Sequence, residues 1–177
     1  MAESLISSNQ YIIFTLVKET MGIPIDLVRE VISLNSHTLY QIPGSPDFFK
    51  GVINLRGQVI PILDARSKLN FGLNSPPPEN PKSIIVQCDK EHFGLVVDDV
   101  EEVATIEDSS IEDAPGHLAV THKDRKIGRI SGKDNDKDRF VFLLSKEFLF
   151  DDNNSKGSLI PSQFRKMLNE VSNKKTD

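Results

Sequence analysis

Residues 12–31, IIFTLVKETMGIPIDLVREV, and residues 84–103, IIVQCDKEHFGLVVDDVEEV, are two versions of one stretch that align without a gap at a displacement of 72 positions. Ile12-Ile13, Lys18-Glu19, Gly22, Asp26, Val28 and Glu30-Val31 recur identically as Ile84-Ile85, Lys90-Glu91, Gly94, Asp98, Val100 and Glu102-Val103. Most differences, such as Ile23 against Leu95, keep apolar character. A repeat of this kind marks a duplicated structural unit, and two copies point to paired subdomains rather than a solenoid, which ordinarily needs at least three.

A looser echo follows each copy. Gly51-Val52-Ile53-Asn54-Leu55-Arg56-Gly57 and Val59-Ile60-Pro61-Ile62-Leu63 are answered by Lys126-Ile127-Gly128-Arg129-Ile130-Ser131-Gly132 and Phe140-Val141-Phe142-Leu143-Leu144. Both halves therefore carry the same order of strand signals.

Within a copy, residues 11–17 and 22–25 alternate in the period-two manner of strands, interrupted by Lys18-Glu19-Thr20, and the second copy turns at Asp89-Lys90-Glu91. Gly22 and Gly94 open the returning strands, where a missing Cβ eases a bulge or a close backbone approach. Residues 28–34, 38–42, 51–55 and 59–63 supply further strands to the first set, and 100–106, 126–131 and 140–144 complete the second. This cadence predicts small β-barrels.

Pro43 and Pro46 bracket a turn, followed by one helical turn at Asp47-Phe48-Phe49; three consecutive prolines make 74–81 the connector between halves. The reading is thus one domain over 10–150 with halves near 10–73 and 82–150 and a linker over 151–158. An amphipathic helix over 159–171 follows, whose stripe Phe164, Met167, Leu168 and Val171 docks on the body or on a partner.

The chain has 177 residues, a formal charge of −5 and no basic stripe, which argues against nucleic acid as a partner. No run approaches the ~20 apolar residues a bilayer span requires, and the N-terminus lacks a secretory signal pattern, so a cytoplasmic location without membrane insertion is expected. Cys88 is the single cysteine. Alternation places it on one face with Ile84 and Val86, as a packed core thiol.

Candidate chemistry is sparse. Asp134, Asp136 and Asp138 imitate the start of a calcium loop, but Arg139 stands where that loop needs glycine and Ser145 where it needs a bidentate glutamate. The four histidines form no zinc spacing, and no serine lies in a nucleophile elbow. No cofactor and no metal is expected, and nothing positively suggests an enzyme. Arg56 is different, because packing does not demand a guanidinium at a Leu-Arg-Gly corner. It is a solvated turn residue, a residue paired within the chain, or a fork for a protein interface.

The segment Phe49 to Asp64 with its Asn-Leu-Arg-Gly corner, taken with Gly22-Ile23-Pro24-Ile25, Val28-Arg29-Glu30-Val31 and their second-half counterparts, resembles the CheW-like coupling proteins of bacterial chemotaxis over roughly residues 10–150. The resemblance implies an all-β fold of two intertwined SH3-like five-stranded barrels, here followed by the C-terminal helix. It also implies a noncatalytic adaptor that binds the cytoplasmic tip of methyl-accepting chemoreceptors and the regulatory domain of a CheA-type histidine kinase, recruited to membrane-associated receptor arrays. By motif match, partner contacts fall on Val28, Glu30, Asn54, Arg56 and Gly57, with Ile85 and Val100 on a second-half surface. The alternatives are a regulatory module for another signalling kinase or motility pathway, and a small hydrolase with a spatially assembled site.

Overall fold

The structure, a computed structural model, describes residues 9–69, 72–114, 126–130, 137–150 and 166. Strands β1 (Gln10–Leu16) and β2 (Glu19–Pro24) form a hairpin, and β3 (Val28–Ser33) follows a short 3-10 turn. Strands β4 (Phe49–Leu55) and β5 (Gln58–Asp64) form a second hairpin that runs into helix α1 (Ala65–Leu69). The second half repeats the order with β6 (Lys82–Cys88), β7 (Glu91–Val97) and β8 (Asp99–Thr105), then a short β9 (Ile111–Asp113), β10 (Lys126–Ile130), β11 (Arg139–Leu143) and helix α2 (Lys146–Phe150).

The halves exchange their hairpins. One sheet, barrel 1, runs β3-β6-β7-β5-β4, and the other, barrel 2, runs β8-β1-β2-β11-β10-β9. Each barrel thus holds the repeat hairpin of one half and the remaining strands of the other. Registers obey the 72-position displacement: Val28 pairs with Val86 and Glu30 with Ile85, as Val100 pairs with Phe14 and Glu102 with Ile13. A bulge falls at the same place in both, leaving Arg29 and Glu101 as the extra residues. A bulge re-aims a side chain, and these two are aimed at the ends of their barrels. The looser echo is equally faithful, since Leu143 faces Gly22 as Ile62 faces Gly94, both in parallel pairs.

Such exchange requires apolar residues on both faces of the swapped strands. Ile12, Phe14 and Leu16 from β1 meet Ile84, Val86, Phe93 and Leu95 in one core shared by the two sheets. The opposite faces fill the barrels separately. Ile85 joins Ile32, Ile53, Leu55, Ile60 and Ile62 inside barrel 1, while Ile13 joins Ile106, Ile130, Val141 and Leu143 inside barrel 2. Apolar burial, worth about 25 cal/mol per Å² of surface removed from water, therefore holds the two halves to each other as well as each barrel within itself.

Gly22 and Gly94 sit where two walls converge. A Cβ on Gly94 would lie 2.5 Å from Ser83 Oγ and 2.6 Å from Ile62 Cδ1; on Gly22 it would lie 3.0 Å from Leu143 Cδ2. Of the two expectations, a bulge or a close approach, the close approach is present in both barrels and is tighter in the first, while the hairpin register runs unbroken through both glycines.

Several local expectations are corrected. The hairpins turn on two residues, Val17-Lys18 and Asp89-Lys90, with Val17 at φ 64° and Asp89 at φ 54°. Residues 38–42 form no strand, only a bridge from Tyr40 to Val52, and the next carbonyl in line, that of Ile42, accepts from Ser45 Oγ at 2.7 Å in the turn that follows. Phe49 closes a turn on Pro46 and opens β4, so the Asp47-Phe48-Phe49 stretch is not helical. The linker, the C-terminal helix except Lys166, and Asp134 and Asp136 of the calcium-like run lie outside the described residues. Among the described residues no helix is long and apolar enough to cross a membrane.

Candidate docking faces

Barrel 1 closes through side chains. Strands β3 and β4 are the two ends of its sheet order, and the β4–β5 tip bends over to reach β3. Arg56 at φ 52° and Gly57 at φ 84° give the left-handed pair that a two-residue type I′ turn needs. The Gly57 N–H donates to Asn54 Oδ1 at 2.8 Å, which fixes the turn. Arg56 then forks onto Glu30, Nη1 to Oε1 at 2.8 Å and Nη2 to Oε2 at 3.0 Å. Beside it the bulged Arg29 donates to Gln58 Oε1 at 2.6 Å. The Arg56 side chain remains 70% exposed while Glu30 is 20% exposed. Arg56 is therefore paired within the chain and still presents most of a flat cation to solvent, a form suited to a carboxylate or an apolar partner surface.

Barrel 2 closes at the matching place with the polarity reversed. Arg139, at the β10–β11 end, donates to Glu101 Oε2 at 2.7 Å and to Glu102 Oε1 at 2.9 Å. The hydrogen bond to Glu101 and the charges of both glutamates hold the guanidinium's proton above its ordinary value against some burial. Farther along β11, Phe140 is 62% exposed, with the Arg129 guanidinium 5.9 Å from its ring centre.

A third arginine ties the halves together. Arg66 on α1 donates to Asp98 Oδ1 at 2.5 Å and to the carbonyl of Pro76 at 3.0 Å in the connector. The other Asp98 oxygen accepts the Val17 N–H at 2.8 Å, holding a β-branched residue in the left-handed region. That conformation costs about 1–3 kcal/mol, and the charged hydrogen bond offsets it. Asp64 accepts the Arg66 backbone N–H at 2.9 Å and so caps the helix that carries the arginine.

Of the residues expected at the site, the structure brings together Glu30, Asn54, Arg56 and Gly57. Val28 precedes them on β3, half-buried against the shared core. Ile85 is a correction: it is fully buried inside barrel 1, because its face of β6 points away from the shared core and into the barrel. Val100 is half-buried on β8 of barrel 2, packed on the shared core, and does not join the others. Arg66 and Arg139 were not named as site residues from the sequence, where Arg139 figured only as the residue that spoils the calcium-like run. The recurrence of Asp98 with Asp26 was a signal for the first, and the bulge-facing position of Arg139 has none in sequence.

Cys88 packs against the shared core yet is half-buried rather than enclosed. Lys146 hydrogen-bonds it, and that bond chiefly, with the charge of Asp89 adding, holds the ammonium above its ordinary range. Among the described residues no cluster of His, Cys, Asp or Glu could hold a metal ion.

The description "CheW-like domain" matches residues 10–154. The chemotaxis protein CheW of Klebsiella aerogenes is 38% identical over 113 residues, 63% of this chain and 65% of that protein, so the match spans just under two thirds of that relative. CheW of Bacillus subtilis is 29% identical across 89% of this chain and 96% of its own length. A probable chemotaxis protein CheW of Rhizobium etli is 31% identical across 84% and 92%. The crystal structure of the scaffolding protein TtCheW from Thermoanaerobacter tengcongensis superimposes with a TM-score of 0.65 at 31% identity, covering 83% of this chain and 95% of that one. With the exchanged hairpins and twin barrels already in place, the chain belongs to the CheW-like family of chemotaxis scaffold proteins.

Proposed function

We propose that this protein is a noncatalytic adaptor that couples the cytoplasmic tip of a transmembrane chemoreceptor to the regulatory domain of a CheA-type histidine kinase. The observation that carries the reading is the presence of two differently built barrel ends, the Arg56–Glu30 corner and the Arg139–Glu101–Glu102 corner, tied through one shared core. A scaffold needs separate faces in a fixed relation, and the hairpin exchange supplies it. Partner contact falls on Val28, Glu30, Asn54, Arg56 and Gly57 for the first face, with Val100 on a second. The working location is the cytoplasm beside membrane receptor arrays.

No bond chemistry is required of the adaptor. A receptor conformation that changes the geometry of one face changes affinity at the other by a coupling free energy, of order 1–3 kcal/mol in such systems, and so shifts the kinase between its states. Calorimetric titration with a receptor-tip fragment and a CheA-type regulatory domain tests this. Wild type should bind each and hold both together, and Arg56→Glu should weaken at least one by roughly tenfold or more with little change in melting temperature. Wild type binding neither would end the adaptor reading, whereas unchanged binding by Arg56→Glu would remove only the corner from it.

A further inference from the structure

Helices α1 and α2 hold matching places, each following the last strand of its half, 81 positions apart. In the first half, the chain that leaves α1 packs over the β1–β2 turn: Gly72, at φ 65°, lies so near Val17 that an added Cβ would overlap its side chain. In the second half the matching turn is Asp89-Lys90. Beside it lies an open groove of about 590 Å³, lined by Cys88, Asp89, Lys90, Lys146, Glu147 and Phe150 among others.

We propose that this groove is the dock for the C-terminal segment of the same chain, held by the stripe Phe164, Met167, Leu168 and Val171. The internal repeat points to the chain beyond α2, because the chain that leaves α1 covers the equivalent turn; the counterpart of Gly72 is Asn153, in the linker that leads to the stripe. The floor suits an apolar stripe: Phe150, tilted against Phe93 with ring centres 5.2 Å apart, and Cys88, which packs on the shared core, with the stems of Lys90 and Lys146 at the rim. Reach is not limiting. Phe150, the last residue of α2, lines the groove itself, and the chain from there to Phe164, at ~3.3 Å per residue, can span far more than the groove. Lys166, which falls off the stripe, is helical and exposed.

Cys88, the single thiol of the chain, is a built-in reporter of this contact. In the full chain, Leu168→Glu and Met167→Glu should each raise the rate of Cys88 labelling by an uncharged maleimide roughly tenfold. The melting temperature of the barrels should change little, and the wild-type rate should be independent of protein concentration. Because a charged variant can perturb folding, a second test uses Leu168→Cys, which under mild oxidation should form an intramolecular disulfide with Cys88, while Lys166→Cys should not. Equal labelling rates together with no intramolecular disulfide would overturn the proposal. Protection that grows with protein concentration would overturn it in favour of a second copy, and protection that appears only on adding a receptor or kinase fragment in favour of an external helix.

Discussion

Barrel 1 closes with an exposed arginine at a two-residue hairpin tip gripping one glutamate of β3, whereas barrel 2 closes with a less exposed Arg139 gripping two glutamates of β8. The positions correspond and the chemistry is inverted. In barrel 1 the bulged Arg29 donates to Gln58 on the hairpin; in barrel 2 the hairpin's Arg139 donates to the bulged Glu101. The surrounding charge diverges as well: residues 98–113 hold eight acids and no Lys or Arg, while the matching residues 26–41 hold two acids and one Arg. Interior positions stayed in register because both cores constrain them, whereas the barrel ends were free to change. One frame thereby offers two faces of different charge, which suits two different partners.

Substitution of the paired glycines should sharpen that comparison most. Gly94→Val forces a branched side chain against Ser83 and Ile62 and should cost more than about 3 kcal/mol, whereas Gly22→Val, with Leu143 and Val141 slightly farther away, should cost about 1–3 kcal/mol. Urea midpoints of the two variants check the order, and equal losses would mean that the barrels tolerate crowding alike. Next in size is the clamp pair. Arg139→Ala leaves two neighbouring glutamates without their shared cation and should cost about 1 kcal/mol, while Arg56→Ala, at an exposed tip, should cost about 0.5 kcal/mol or less. A thermal melt in which Arg56→Ala is the more damaging would reverse the account of the two ends.

A smaller contrast lies at the equivalent residues Tyr11 and Ser83, both directed at a barrel interior. Burial, with the Asp108 charge adding to it, raises the Tyr11 hydroxyl above its ordinary value of 10.0. The stabilisation linked to that shift is complete below pH 10 and is lost as pH rises through the folded-state value. Wild type should therefore lose more stability than Tyr11→Phe between neutral and strongly alkaline pH, as read from denaturant midpoints across that range. Ser83 has a fully buried hydroxyl for which no hydrogen-bond partner is found among the described residues. Ser83→Ala should be neutral or slightly stabilising, the smallest effect of the set; a loss of about 1 kcal/mol or more would reveal a partner for that oxygen.

Much of this frame was legible in the sequence. The repeat marked the hairpins, period two placed Ile12, Phe14 and Leu16 on a common face, and the echo of residues 51–63 in 126–144 gave both halves the same order of strands, whose registers the structure then shows to correspond residue for residue. The Asn54-Leu55-Arg56-Gly57 corner announced its turn. The short elements β9, α1 and α2 were not legible, because three to five residues carry too little periodicity to stand out.

The sequence by itself determined that two like β units exist, that each opens with a hairpin and which positions must be apolar, because these follow from local backbone preference and a two-residue period. Only the tertiary structure decided that the hairpins change places, that Ile85 points into a barrel while Ile84 enters the shared core, and that Arg56, Arg66 and Arg139 find Glu30, Asp98 and the Glu101-Glu102 pair. A strand apolar on both faces carries no mark of which side is inward, and a charged side chain finds its partner only when a sheet has curled far enough to bring its two ends together.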